Sequence, residues 1–296
     1  MQPLSAVVWC LARFVAIGTA LAAGNPFPLQ QTVSKAPDAA RQDSTARCPR
    51  SLLVDFVFSD AGEPTPGIRV WQLAGKNAVF FEANMAIDAD GAPDAYNPGD
   101  TGLDDLISAG QPGDWHGLAT DRDGNPYLQG PRDPFPGYYV STTALTDKTK
   151  SPSDPARYVD ASTIPYIVLP GSVARQAGAA LGDFAAVLNL RNNRSSSAIF
   201  ADIGDNLGEG SIALADHLGV RSSARYGGAR SEILYILFPG SGNHTPRTID
   251  EITHRGEKLL HEWGGVEQAM ACAVDSTSLV QPEGSSTTPA STARPR

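Results

Sequence analysis

The chain is poor in the residues from which many catalytic centres are assembled: it has three cysteines and five histidines in 296 residues. The histidines, His116, His217, His244, His254 and His261, fall at no metal-ligand spacing, and there is no H-E-x-x-H. Also missing are G-x-S-x-G, a P-loop and a G-x-G-x-x-G after a strand. Serine-elbow hydrolysis, P-loop nucleotide chemistry and Rossmann dinucleotide binding are set aside on that ground. Basic charge is in the minority, with 23 Lys and Arg against 32 Asp and Glu, a formal charge of −9. Phosphate binding needs a basic surface, so nucleic acid is not an expected partner, whereas a cationic partner suits the balance.

Apolar runs long enough to cross a bilayer are lacking beyond the N-terminus. Residues 1–23 are apolar and end in small residues, with Ala20, Leu21 and Ala22 forming an A-x-A-like cleavage site, while Arg13 interrupts the run. This pattern predicts a secretion signal rather than a stable membrane anchor, and hence a secreted or periplasmic protein. Cys10 would leave with the signal. Cys48 and Cys272 would remain near the two ends of the mature chain, either joined or as two separate buried thiols.

Residues 24–47 have the composition of a flexible leader, and residues 275–296 form a Ser/Thr/Pro tail. One domain is expected between them, over 48–274. Its short apolar and β-branched runs, among them LLVDFVF, RVWQL, AVFFEANMAI, YYVSTTAL, YIVLP, AAVLNL, SAIFADI, SIALA and ILYILF, are bounded by Gly, Pro, Asn or Asp as strands are. Helical periodicity is clear only over 248–264, where Thr248 and Glu251 can form a capping box, with weaker signals over 102–110 and following SIALADHLGV. The fold class predicted is mostly β (α+β), a single compact sheet- or barrel-like domain with long loops and a C-terminal helix. The 52 residues from Ala92 to Thr143, rich in Gly, Pro and Asp, are the long loops. Loops of this length usually build a binding surface.

What the chain does have is acid beside glycine. Residues 202–210, DIGDNLGEG, hold Asp202, Asp205 and Glu209 among three glycines. Asp202 lies near the end of one predicted strand and Glu209 just before the next element. Two carboxylates flanking a scissile bond are what glycoside hydrolysis requires, one protonated and one ionised. Asp-Gly turns also serve purely conformational ends. A second acidic stretch, MAIDADGAPDAY, offers Asp88, Asp90 and Asp94. It opens like a calcium loop, but the twelfth position is Gly99 instead of the bidentate Glu. Asp88 and Asp90 would share one face of an extended segment and line a groove. Trp115, in DWHG, is a candidate sugar-stacking platform.

The segments DADGAPDAYNP, IPYIVLPG, ADIGDNLGEGSIALAD and SEILYILFPGSG, in this order, resemble glycoside hydrolase family 75, the fungal-type chitosanases and their bacterial relatives, over roughly residues 70–242. The resemblance implies an inverting endo-hydrolase of chitosan, with Asp202 and Glu209 as the catalytic pair. In that assignment Glu209 is the general acid and Asp202 the base. Ala201 stands where the family has glycine, the spacer between the acids is shorter than in the fungal enzymes, and Asp205 lies within it. Asp202 and Asp205 therefore both stand as candidates for the base.

Asp88, Asp90, Asp205 and Trp115 are the expected substrate-binding residues. No cofactor or metal is expected, since a general acid and base can hydrolyse a glycosidic bond unaided. Two other readings stay open: a non-catalytic polysaccharide-binding or cell-envelope protein on the same fold, and a hydrolase of another amino-sugar polymer. Peptidoglycan is disfavoured, because its stem carboxylates would be repelled by an acidic groove.

Overall fold

The computed structural model describes residues 48–56 and 67–277. The expected signal, the leader and most of the tail lie outside the described residues. Ten strands occur among the described residues: β1 (Arg50–Phe56), β2 (Ile68–Leu73), β3 (Val79–Asp88), the two-residue β4 (Gly110–Gln111) and β5 (Asp114–Trp115), β6 (Tyr166–Pro170), β7 (Phe184–Asn189), β8 (Arg194–Gly204), β9 (Glu209–Ser211) and β10 (Ala229–Leu237). Four α-helices accompany them: α1 (Gly171–Ala177), α2 (Ile212–Leu218), α3 (Ile249–Trp263) and α4 (Gly265–Thr277). No helix among the described residues is long and apolar enough to cross a membrane.

Six of the strands close on themselves. β3 pairs antiparallel with β10, β10 with β7, and β7 with β8; β8 runs parallel to β6, β6 antiparallel to β9, and β9 returns parallel to β3. Closure depends on β3 giving one edge to two partners. Val79 and Phe80 at its start pair with β2, and Ala86 to Asp88 at its end pair with β9. β1 extends the sheet outward from β2.

The strands are buried on both faces, which explains their near-continuous apolar runs. Phe81, Met85, Ile167, Val187, Phe200 and Tyr235 belong to one apolar cluster, which α1 and α2 complete through Val173 and Leu214. The alternate residues Phe80, Tyr166, Leu188, Ile199 and Leu234 belong to the other. Against this second face pack the segment 89–161 and the helices α3 and α4.

The barrel-like expectation holds, and so does the helix over 248–264. Thr248 Oγ1 accepts from the Glu251 N–H at 3.3 Å while Glu251 Oε2 accepts from the Thr248 N–H at 3.0 Å, a complete capping box. Four local expectations are corrected. SIALA is not a strand: Ser211 caps α2 by accepting from the Leu214 N–H at 3.1 Å, so the apolar run from Ile212 winds into helix. The signal over 102–110 yields only a 3-10 turn at Leu106–Ala109.

YYVSTTAL forms isolated bridges instead of a ladder, because its backbone groups go to scattered partners. The Tyr139 N–H donates to Tyr96, Val140 to Tyr127, Thr142 to Gly117 and Leu145 to Ala201. Finally, a second C-terminal helix, α4, follows the expected one and runs to Thr277, beyond the predicted boundary at 274.

Cys48 and Cys272 are joined, with their Cα atoms 5.1 Å apart and a sequence separation of 224. The bond ties the entry of β1 to α4. Closing so long a loop restricts the unfolded chain, and removing such a bridge typically costs about 2–5 kcal/mol. A C48S/C272S variant is expected to lose stability of this order, read as an earlier urea midpoint that reductant no longer changes.

Candidate active site

Asp202 is placed by an irregularity near the end of β8. The register with β6 passes from Ile167↔Phe200 to Val168↔Asp202, so Ala201 is the extra residue of a bulge, a device that re-aims the side chain beside it. Asp202 Oδ1 then accepts two backbone N–H groups, from Ala144 at 2.8 Å and from Ile203 at 2.9 Å.

Glu209 opens β9, and its position follows from the G-E-G-S sequence. A Cβ on Gly210 would lie 2.8 Å from Leu214 Cδ2 and 3.2 Å from the Tyr166 carbonyl oxygen, so glycine lets β9 pass close to α2 and β6 without displacing them. Ser211 is fully buried. Besides capping α2, its hydroxyl accepts from the Tyr166 N–H at 3.0 Å and donates to the Ile164 carbonyl at 2.9 Å. One hydroxyl therefore locks β9, β6 and α2 two residues from Glu209.

The two acids meet across a single residue. Val168 of β6 pairs with Asp202 on one side and with Glu209 on the other. Adjacent strands lie about 4.8 Å apart, which sets the two backbones roughly 9–10 Å from each other. Gly204 leaves the space between them open: a Cβ there would sit 2.9 Å from Val168 Cγ1 and 3.3 Å from Glu209 Oε2.

Asp88, the last residue of β3, and Asp90, two residues on, join Asp202. Carboxylate oxygens of the three lie within 4.8 Å of one another. Asp88 Oδ1 accepts from the Asp90 N–H at 2.7 Å, and Asp90 Oδ1 accepts from the Tyr96 hydroxyl at 2.7 Å. The Tyr166 hydroxyl donates to the Asp90 carbonyl at 2.9 Å. Oxygen sets of this kind match the ligand preference of hard divalent cations, and these three residues could hold one.

Burial is the main cause that pushes the acids upward, and the charges of neighbouring acids add to it. Asp88 rises to about 6, through burial and with a contribution from Asp104. Asp202 rises to about 7, through burial and the charge of Asp88. Glu209 rises to about 8, through burial and then the charges of Asp88, Asp202, Asp104 and Asp205. Asp90 is pushed well above the usual carboxylate range by burial and by Asp88 and Asp202. Tyr96 and Tyr166 are raised as well, by burial first, and so remain protonated donors.

Of the candidates named from sequence, Asp88, Asp90, Asp202 and Glu209 converge. Asp205 is exposed in the turn between β8 and β9 and acts on Glu209 only through its charge. Trp115 is half-buried, its ring 6.3 Å from that of Tyr139 and packed against the core, so much of its surface serves packing. Asp94 is half-buried and has Asp160 as its charged neighbour. The sequence reading passed over Tyr96, Tyr166 and Asp104. The two tyrosines stood inside the segments DAYNP and PYIV, and a polar-tipped aromatic within an apolar run was the available signal.

Residues 132–260 match the family model described as fungal chitosanase of glycosyl hydrolase group 75. The match bears out the resemblance to that family and supports a glycoside hydrolase. It takes in Asp202 and Glu209 and covers somewhat under half of the chain; Asp88, Asp90 and Trp115 precede it. A search of the curated proteins finds no match for the chain.

Because the acids titrate higher in the fold than in the unfolded chain, the native state holds protons that the unfolded state has released between about pH 4 and 8. The charge-burial penalty is therefore absent in acid and destabilises the fold progressively as pH rises. Asp90→Asn is expected to raise the free energy of unfolding at pH 8 and to change it little at pH 4, measured by urea denaturation at the two values. An equal effect at both would show that Asp90 does not ionise against its neighbours.

Proposed function

With the family 75 resemblance as premise, we propose that the protein is an exported endo-acting hydrolase that cleaves the β-1,4 linkages of chitosan with inversion. The observation that carries this reading is the pairing of Asp202 and Glu209 on either side of Val168. Backbones about 9–10 Å apart suit the ~6.5–9.5 Å carboxyl separation of inverting enzymes, which leaves room for a water.

Glu209, raised to about 8, keeps its proton at neutral pH and can give it to the departing glycosidic oxygen. Asp202 is anchored through Oδ1 by the Ala144 and Ile203 N–H groups, which leaves Oδ2 to accept a proton from water. That water attacks the anomeric carbon from the face opposite the leaving group. Its proton goes to Asp202 as the C–O bond breaks, and the configuration inverts. The fold favours Asp202 over Asp205 as the base, since Asp205 lies exposed in the turn and lacks these anchors.

Charge supports chitosan as the substrate. An ammonium group entering a cluster of raised carboxylates lowers their pKa values, so binding itself ionises the base. A fully acetylated polymer would bring no such charge. Export is supported by the N-terminal pattern and by the Cys48–Cys272 bond, which suits an oxidising compartment. The catalytic domain proposed runs from near Cys48 to the end of α4.

The test is release of oligosaccharides from soluble chitosan. Glu209→Gln and Asp202→Asn are each expected to reduce turnover by about 10²–10⁴-fold, the usual worth of a general acid or base, with folding intact by circular dichroism. Asp205→Asn is expected to stay within a few-fold of the parent, and the first products are expected as α-anomers by proton NMR. Full activity in Glu209→Gln would overturn the assignment. No release by the parent would overturn the hydrolase reading in favour of a polysaccharide binder.

A further inference from the structure

The Ala144 N–H reaches Asp202 from a segment that belongs to no strand ladder. What fixes its direction is the residue before it. Thr143 is buried, and its hydroxyl is bonded both ways: Oγ1 donates to the Leu145 carbonyl at 2.9 Å and accepts from the Val159 N–H at 3.0 Å. The first bond spans Ala144 and closes residues 143–145 into a local turn of the kind threonine hydroxyls make. The second ties that turn to the neighbouring segment, which the isolated bridge between Thr146 and Tyr158 keeps alongside.

Both N–H groups after Thr143 go to the bulge in β8. Ala144 donates to Asp202 Oδ1 at 2.8 Å, and Leu145 donates to the carbonyl of Ala201, the extra residue, at 2.8 Å. The Thr143 methyl meets Gly91, the residue after Asp90: a Cβ on Gly91 would lie 2.9 Å from Thr143 Cγ2 and 2.1 Å from the Val159 carbonyl oxygen. Thr143 thus makes two separable contacts, a hydroxyl toward Leu145 and Val159 and a methyl toward Gly91. Only the hydroxyl closes the turn around Ala144.

We propose that Thr143 is a positioning residue for Asp202: its hydroxyl holds the 143–145 turn so that the Ala144 N–H engages Oδ1 and leaves Oδ2 free to meet the attacking water. This rests on the reading of Asp202 as the general base. Thr143 acts through one backbone N–H. Without the hydroxyl, the N–H of Val159 and the carbonyl of Leu145, both buried residues, lose a partner, and the turn shifts to find others. A displacement of about 1 Å at a reacting group can cost as much as 10²-fold in rate.

The two contacts can be removed one at a time. Valine keeps the shape and the methyl of threonine but not the hydroxyl, and serine keeps the hydroxyl but not the methyl. The experiment compares the parent, T143S, T143V, D202N and D202N/T143V on soluble chitosan, and follows the Ala144 amide by hydrogen exchange in protein carrying isotope-labelled alanine. T143V is expected to lower kcat by about 10–10²-fold with KM within about two-fold of the parent, and T143S to stay within about three-fold in both. In the D202N background T143V is expected to lower kcat by less than about two-fold, since no base remains to be misplaced. Exchange of the Ala144 amide is expected to quicken by about tenfold in T143V and to stay near the parental rate in T143S.

Equal losses from T143V with and without the Asp202 carboxylate would show a role in the fold at large, and would overturn the proposal. Impairment of T143S with T143V near the parent would assign the effect to the Gly91 contact, which overturns it equally. Unchanged Ala144 exchange in T143V does the same. Should the parent release no sugar, the hydrolase reading falls, and Ala144 exchange in T143V against T143S decides the positioning role by itself. If T143V does not fold, T143A takes its place in both backgrounds, since T143A and T143S differ by the hydroxyl alone.

Discussion

Carboxylates packed together in a poorly hydrated place repel one another, and the architecture of this protein depends on holding them there. Asp88, Asp90 and Asp202 come within 4.8 Å, and Glu209 feels the charge of two of them. Left to local forces these side chains would turn toward water. The fold opposes this with apolar burial on both faces of six strands, each large side chain contributing about 1.5–3 kcal/mol. It also supplies donors from fixed positions: backbone N–H groups for Asp202 and Asp88, and the Tyr96 hydroxyl for Asp90.

Barrel closure turns this crowding into a defined arrangement. Asp202 and Glu209 are only seven residues apart, yet their relation is set by β6, which arrives from elsewhere in the chain and separates them with Val168. Their distance is therefore a property of strand spacing, far less adjustable than a loop. The Ala201 bulge and the Ser211 hydroxyl fix the remaining freedom, the first by turning Asp202 and the second by locking the start of α2 against β6.

The segment 89–161 supplies what the barrel lacks. Tyr96 holds Asp90, the Ser141 hydroxyl accepts from the Gly91 N–H at 2.9 Å, and Ala144 holds Asp202. Strands thus place the pair of acids, while the loops set the dielectric and the donors around them. A cationic polymer meeting this surface would relieve the repulsion that the fold maintains, so binding and activation of the site share one cause.

Much of this was legible from residue patterns. The two-faced strands announced themselves as apolar runs between Gly, Pro and Asn, and Thr248 with Glu251 marked a helix start. The link between Cys48 and Cys272 was open, because sequence carries no distance across 224 residues, and the fold closed it to 5.1 Å between Cα atoms. SIALA and YYVSTTAL misled because periodicity over a few residues cannot weigh a serine cap or backbone partners contributed by distant segments.

By itself the sequence determined the inventory of acids, the strand-rich class and the likeness of its G-E-G-S stretch to one family, all of which are local properties of neighbouring residues. Tertiary structure alone decided which acids converge, that Asp205 stays outside while Asp88 and Asp90 come in, and how far the proton of Glu209 is held above its ordinary range. The reason is physical: burial and like-charge repulsion depend on distances through space, and these are fixed only when β9 returns to β3 and closes the barrel.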